Sequence, residues 1–153
     1  MLKPHIYTDT SVIGGCLDKE FQAGSEALIQ RFESGSAILM ISDLTLSELE
    51  NAPPDVRNVL NRVSTEDTQY VELTAEARQL AERYLSEGVV SSKNQTDARH
   101  IAIATIHRAD VLVSWNFKHI VNLERIHGYN AVNLKQGYPM IEIRTPLEVL
   151  RHE

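Results

Sequence analysis

The sequence predicts an α/β fold, a three-layer α/β/α sandwich with a mostly parallel central sheet. Three observations predict it. The apolar runs Ala37-Ile38-Leu39-Met40-Ile41 and Val111-Leu112-Val113 lack the alternation of a half-exposed strand, so they fit strands covered on both faces. Helical patterns lie between such runs; Ala98, Ile101, Ala102 and Thr105 share one face of a helix that opens near Asp97. The two kinds of segment alternate along nearly the whole chain, as parallel strands joined by crossover helices do.

The elements follow in order. His5-Ile6-Tyr7-Thr8 reads as a first strand ending at Asp9, and Gly14-Gly15 permit a tight turn after it. A helix runs from about Ser25 to Glu33, and Gly35 ends it. The strand Ala37–Ile41 is followed by a helix carrying Leu44, Leu46, Glu48 and Leu49, capped by Ser42 or Asp43. Pro54 starts another helix, whose body reaches about Val63. Tyr70–Leu73 is a third strand. Thr74 opens a helix with Leu80, Ala81, Tyr84 and Leu85 on its core face, and Gly88 closes it. Val89–Asn94 is a loop. After the helix at Asp97 and the strand Val111–Val113, a short helix is predicted over Phe117–Gly128 and a last parallel strand over Asn130–Asn133. Ile141–Ile143 alternates like an edge strand, and Pro146–Leu150 forms a final helical turn or two.

The totals restrict the function. A chain of 153 residues is expected to form one domain over residues 1–153. No run approaches the roughly 20 apolar residues of a membrane span. The start, MLKPHIYTDTS, has no apolar stretch of signal-peptide length, so the cytoplasm is the expected compartment. Cys16 is the single cysteine; it excludes an internal disulfide or a multi-cysteine metal site and is expected to be a buried thiol. A net charge of −6 argues against bulk electrostatic binding of nucleic acid. It leaves room for an enzyme that touches a few nucleotides with metal ions in its site. There is no G-x-x-x-x-G-K-[ST] loop, no G-x-G-x-x-G turn and no H-E-x-x-H. A G-x-S-x-G elbow is absent too.

Three acids stand where ligands gather in open parallel sheets, outside the carboxyl ends of the strands. Asp9 follows the first strand, Glu48 lies on the helix after the second, and Asp97 opens the helix before the fourth. Two like charges 4 Å apart cost about 4 kcal/mol at an effective dielectric of 20, so three converging carboxylates need protons or a cation. All-oxygen donors of this kind suit Mg²⁺ or Mn²⁺ rather than Zn²⁺. Such ions support hydrolysis of phosphate esters. Each acid also has a structural alternative: Asp9 satisfying turn amides, Glu48 solvated, Asp97 complementing its helix dipole.

The segments YTDTSVIGG, ISDLTLSELE, DARHIAIA and LVSWNFKHIVN together resemble the PIN-domain family of metal-dependent nucleases, from Ile6 to about Ile143. The likeness is to the VapC-type toxins of toxin–antitoxin pairs. On that resemblance Asp9, followed by Thr10 and Ser11, matches the first acid, Glu48 the second and Asp97 the third. Asn116 stands at the fourth position, often Asp in the family; it can bind a metal-bound water or phosphate but brings no charge. The resemblance implies a PIN fold, Mg²⁺ or Mn²⁺ dependence, single-stranded RNA as substrate, a homodimer, and an antitoxin whose segment blocks the groove.

Around the acids, Lys118 and His119 are candidates to meet phosphate, one of them at most pointing in. Ser11 and Thr10 can hold carboxylates through their hydroxyls. Trp115 either stacks on a base or, as the more common arrangement, belongs to the core; Tyr7 is expected in the core. The function predicted is a metal-dependent endoribonuclease. The alternatives are a catalytically weak module that binds RNA or protein through the same fold, and a small-molecule phosphatase.

Overall fold

A computed structural model describes residues 3–150. Among them, five strands form one wholly parallel sheet: β1 (His5–Thr8), β2 (Ile38–Ser42), β3 (Thr68–Val71), β4 (Val111–Val113) and β5 (Ile143–Arg144). Their spatial order is β3-β2-β1-β4-β5. The chain steps outward from β1 to β3, then returns to the other side of β1 for β4 and β5. The connections thus reverse direction between β1 and β4, and ligands bind outside the carboxyl ends of strands at such a switch point.

Eight α-helices join the strands: α1 (Thr10–Gly15), α2 (Gln22–Glu33), α3 (Asp43–Leu49), α4 (Pro54–Asn58), α5 (Ala75–Ser86), α6 (Gln95–Ile106), α7 (Leu123–Lys135) and α8 (Pro146–Leu150). Alternation along the strands divides the core in two. Tyr7, Met40, Leu112 and Ile143 pack with α5, α6 and α7. Ile6, Leu39, Ile41 and Val113 pack with α1, α2 and α4. Ile6 and Tyr7 are adjacent, face opposite layers and are both fully buried. Each such side chain stabilises the fold by roughly 1.5–3 kcal/mol. The three layers are therefore those expected from the uninterrupted apolar runs. No helix among the described residues is long and apolar enough to cross a membrane.

Local chemistry sets the boundaries. Ser42 accepts a hydrogen bond from the Thr45 amide and Thr74 one from Ala77, so both act as N-caps. Gly35 and Gly88 end α2 and α5 in the left-handed region, each at φ +78°, where a side chain would be strained. Cys16 is buried and unpaired, as expected. Burial, followed by the nearby charge of Glu26, pushes its thiol up to about 12.

Several boundaries differ from the sequence expectation. The Gly14-Gly15 turn is instead the end of α1: Asp9 caps that helix at the Val12 amide, and burial of Val12 and Ile13 outweighs the low helix propensity of glycine. Helix α2 begins at Gln22 rather than Ser25. Strand β3 covers Thr68–Val71, two residues before the expected 70–73, and the expected loop at 89–94 contains a short 3-10 turn at Ser92–Asn94. The largest correction concerns residues 117–133. No strand forms over Asn130–Asn133 and no helix starts at Phe117; α7 starts at Leu123, where Asn122 caps the Arg125 amide. Tyr129, Asn130, Val132 and Asn133 are buried at helical spacing. Asn130 exchanges two hydrogen bonds with the Ile141 backbone, at 2.7 and 3.0 Å, and Tyr84 donates to Asn133. These long-range contacts, invisible in a four-residue window, decide the helix. The expected edge strand at 141–143 starts two residues later, as β5 at Ile143–Arg144, parallel to β4.

Candidate active site

The site forms where β1 and β4 end side by side. The Thr8–Val113 register brings Asp9 next to Ser114. Ser114 donates its hydroxyl to Asp9 Oδ2 at 2.6 Å, and Ser11 donates to Asp9 Oδ1 at 2.6 Å. Both carboxylate oxygens are thus fixed by short charge-assisted bonds. Asp9 is buried. Burial raises its pKa; the charge of His100 and the two serine bonds work in the other direction without overcoming it.

Glu48 reaches the same region from α3. Its Oε1 accepts from the Thr10 hydroxyl at 2.8 Å and lies 2.7 Å from His100 Nε2. A carboxylate only accepts, so the proton of that bond sits on Nε2. Burial acts to raise the Glu48 pKa, but the hydrogen bond and charge of His100, with Thr10, hold it below the ordinary value. His100, 2% exposed, is anchored behind by Tyr7, whose hydroxyl lies 2.6 Å from its Nδ1 and 2.8 Å from Ser42 Oγ. Ser42, Tyr7, His100, Glu48 and Thr10 therefore form one polar chain running from β2 to α1.

Asp97 lies in the first turn of α6. Its Oδ1 accepts from the Asn116 amide at 3.2 Å, and Asn116 Oδ1 in turn accepts the His119 backbone N–H at 2.9 Å. Burial raises the Asp97 pKa and the charge of Asp9 raises it further, against His100 and His119. So two neighbouring carboxyls both hold protons more tightly than usual, and each feels the other or His100. His119 Nδ1 is buried without a hydrogen-bond partner among the described residues. Lys118 is exposed.

The sequence-predicted residues are placed as follows. Asp9 is bonded to Ser11 and Ser114, and Glu48 to Thr10 and His100. Asp97, Asn116 and His119 are joined by hydrogen bonds of their own, and Lys118 is exposed. Among the described residues, no group of three or more His, Cys, Asp and Glu side chains is placed to hold a metal ion. Trp115 belongs to the core: it is 7% exposed, with Nε1 bonded to Ser25 at 2.8 Å. Two members were missed in the sequence. His100 is three residues after Asp97 and so shares its helix face. Ser114 is the first residue past β4, the position equivalent to Asp9 after β1.

No family model matches the chain, and no curated protein matches it. Solved structures do share its fold. One is VapBC2 from Rickettsia felis bound to a DNA fragment from its promoter, with 92% of this chain and 98% of that one covered, TM-score 0.58 and 13% identity. A second is VapC20 of Mycobacterium tuberculosis, described as a sarcin–ricin loop cleaving toxin: 74% and 92% covered, TM-score 0.56, 16% identity. A third is DNA-bound VapBC from Salmonella typhimurium: 95% and 99% covered, TM-score 0.51, 18% identity.

Proposed function

We propose that this chain, whose fold is the PIN fold of the VapC toxins, is a divalent-metal-dependent endoribonuclease acting on single-stranded RNA. The observation that supports the proposal is one buried histidine shared by the three acids: His100 lies 2.7 Å from Glu48, and its charge is felt by Asp9 and Asp97 as well. The donor set fits a hard cation. Asp9 and Asp97 both bind protons too tightly, through burial and, for Asp97, through its neighbour's charge, and a divalent ion relieves both. Asp9, Glu48 and Asp97 would hold Mg²⁺ or Mn²⁺. When bound, such an ion polarises a phosphoryl oxygen and makes water a better nucleophile near neutral pH.

The remaining residues bind and orient. Ser11 and Ser114 lock the Asp9 carboxylate, and Thr10 with His100 locks Glu48. Asn116 positions Asp97 and fixes the turn that carries His119. Lys118 supplies an exposed cation for the RNA backbone; the burial of His119 Nδ1 makes Lys118, not His119, the one of the pair that meets phosphate. The likeness to VapBC assemblies and to a sarcin–ricin loop cleaving toxin supports the role of toxin in a toxin–antitoxin pair. We place it in the cytoplasm as a homodimer of single-domain chains, with an antitoxin protein as partner.

The test is cleavage of a mixed single-stranded RNA pool with Mn²⁺, beside EDTA and Asp97→Ala. Cleavage lost in both controls is the expected result; cleavage that survives both would remove the assignment. A second reading is a catalytically weak binding module. It is favoured by one arrangement: Glu48 is occupied by His100 and Asp97 by a neutral amide. Calorimetric Mn²⁺ titration separates the two, because the enzyme binds the ion through the three acids at millimolar or tighter affinity and the module does not.

A further inference from the structure

We propose that Phe117 is a base-stacking platform, holding a nucleobase of single-stranded RNA beside the acids; this rests on the ribonuclease reading above. Three aromatic rings rise from the core to the rim of the site. Trp115 is buried, and Phe21 stacks on it with centroids 4.6 Å apart and planes 23° from parallel. Phe117 lies against both, 6.4 Å from Phe21 and 6.3 Å from Trp115, and is 51% exposed.

The base of this stack is fixed. Trp115 donates its backbone N–H to Ser11 at 2.9 Å and its Nε1–H to Ser25 at 2.8 Å. Gly15 and Gly24 leave the room it occupies, since a Cβ at either would come within 2.9 Å of the indole. Ser11 is also the residue that holds Asp9, so the stack and the first acid share one anchor.

A single exposed apolar side chain is common and decides nothing. Its neighbours decide here. Asn116, one residue before, bonds to Asp97, and Lys118, one residue after, is exposed. Successive residues thus offer an acid-bound amide, a free aromatic face and a cation. That sequence matches a nucleotide, whose phosphate would meet the divalent ion that the acids would hold, whose base lies on the ring and whose next phosphate meets Lys118. An aromatic platform also takes any base, because every base has a π-face, and it adds affinity without the basic surface that this acidic chain lacks. A protein segment laid on the ring could bring basic side chains to the acids, so the test below separates it from RNA.

The experiment uses the whole protein with Ca²⁺, which carboxylate oxygens also bind, in place of Mn²⁺ and under conditions where the RNA stays uncut. The probe is a short single-stranded RNA with one 2-aminopurine, moved position by position. The parent and Phe117→Trp are expected to quench it at one position, and Phe117→Leu, which keeps apolar bulk, is expected to lose the quench. Stacking predicts that Phe117→Leu binds about five- to 150-fold more weakly. With Mn²⁺ present, KM rises while kcat is kept. Circular dichroism identical to the parent establishes that the variant is folded. If the parent binds and cleaves RNA but Phe117→Leu does so equally well, the stacking proposal fails and the ribonuclease reading stands. An equal loss of duplex RNA binding, or loss of a co-purifying protein with RNA binding intact, also overturns it. A parent that neither binds nor cleaves RNA overturns both.

Discussion

Asp9 is an acid held away from water, and its burial carries a measurable cost. In the unfolded chain it titrates near the usual carboxyl value; in the folded chain its pKa is raised by burial. Between these two values the folded state binds more protons, so stability falls as pH rises through that window and stays reduced above it. Asp9→Asn keeps the shape and removes the charge. It is expected to abolish cleavage while melting no lower than the parent in EDTA. Its advantage should be absent at and below the unfolded carboxyl pKa and grow as pH rises above it. Melting curves across that range test the sign; an advantage that shrinks as pH rises would refute it. His100→Ala acts oppositely. Glu48 keeps water access, but the fully buried Tyr7 hydroxyl keeps only Ser42 and loses one of its two hydrogen bonds, which costs on the order of 0.5–1.5 kcal/mol. Urea denaturation measures that loss, and cleavage should fall with it because Glu48 swings free. The acids were legible in the sequence because they sit beside strand and helix ends. His100 and Ser114 were not, because a lone histidine or serine has no pattern until the helix face and the strand pair are known.

At the scale of the element, the caps are the predictable part. Ser42, Thr74, Gly35 and Gly88 mark their helix ends by chemistry that needs only a few neighbouring residues. Asn122 does the same for α7 but went unread, since the polar stretch before it obscured the start. Asn122→Ala is expected to lower stability by about 1 kcal/mol, read as a shift of the urea midpoint with unchanged slope. An unaltered midpoint would mean that α7 is held by its packing alone. Residues 130–133 show why a short window misleads. A valine between polar residues resembles a strand, yet Asn130 and Asn133 earn their buried places by bonding Ile141 and Tyr84, contacts that only a helix delivers together.

For the whole molecule, strand–helix alternation was enough to predict the layers and the parallel sheet. The strand order was not legible, because nothing local says that β4 returns to the other side of β1. If the three acids bind a divalent ion, the ion stabilises the entire fold by mass action. Mn²⁺ at 100 times its dissociation constant is expected to add about 2.7 kcal/mol, seen as a rise in Tm. Asp97→Ala should lose this rise while responding normally to urea. A parent that melts at one temperature with and without Mn²⁺ would favour the binding module. Sedimentation of the purified chain tests the homodimer.

The reversal of the sheet at β1 has a consequence for the order of events during synthesis. Asp9 emerges early, but the hydroxyl that grips its second oxygen belongs to Ser114, 105 residues later. Until β4 docks, β1 is an unfinished edge and the first acid has only half its hold. Contacts so distant along the chain form slowly and late. A growing polypeptide that has not yet added β4 therefore carries all three acids with the first of them only half held, and Asp9 gains its second hydroxyl partner only once β4 has docked.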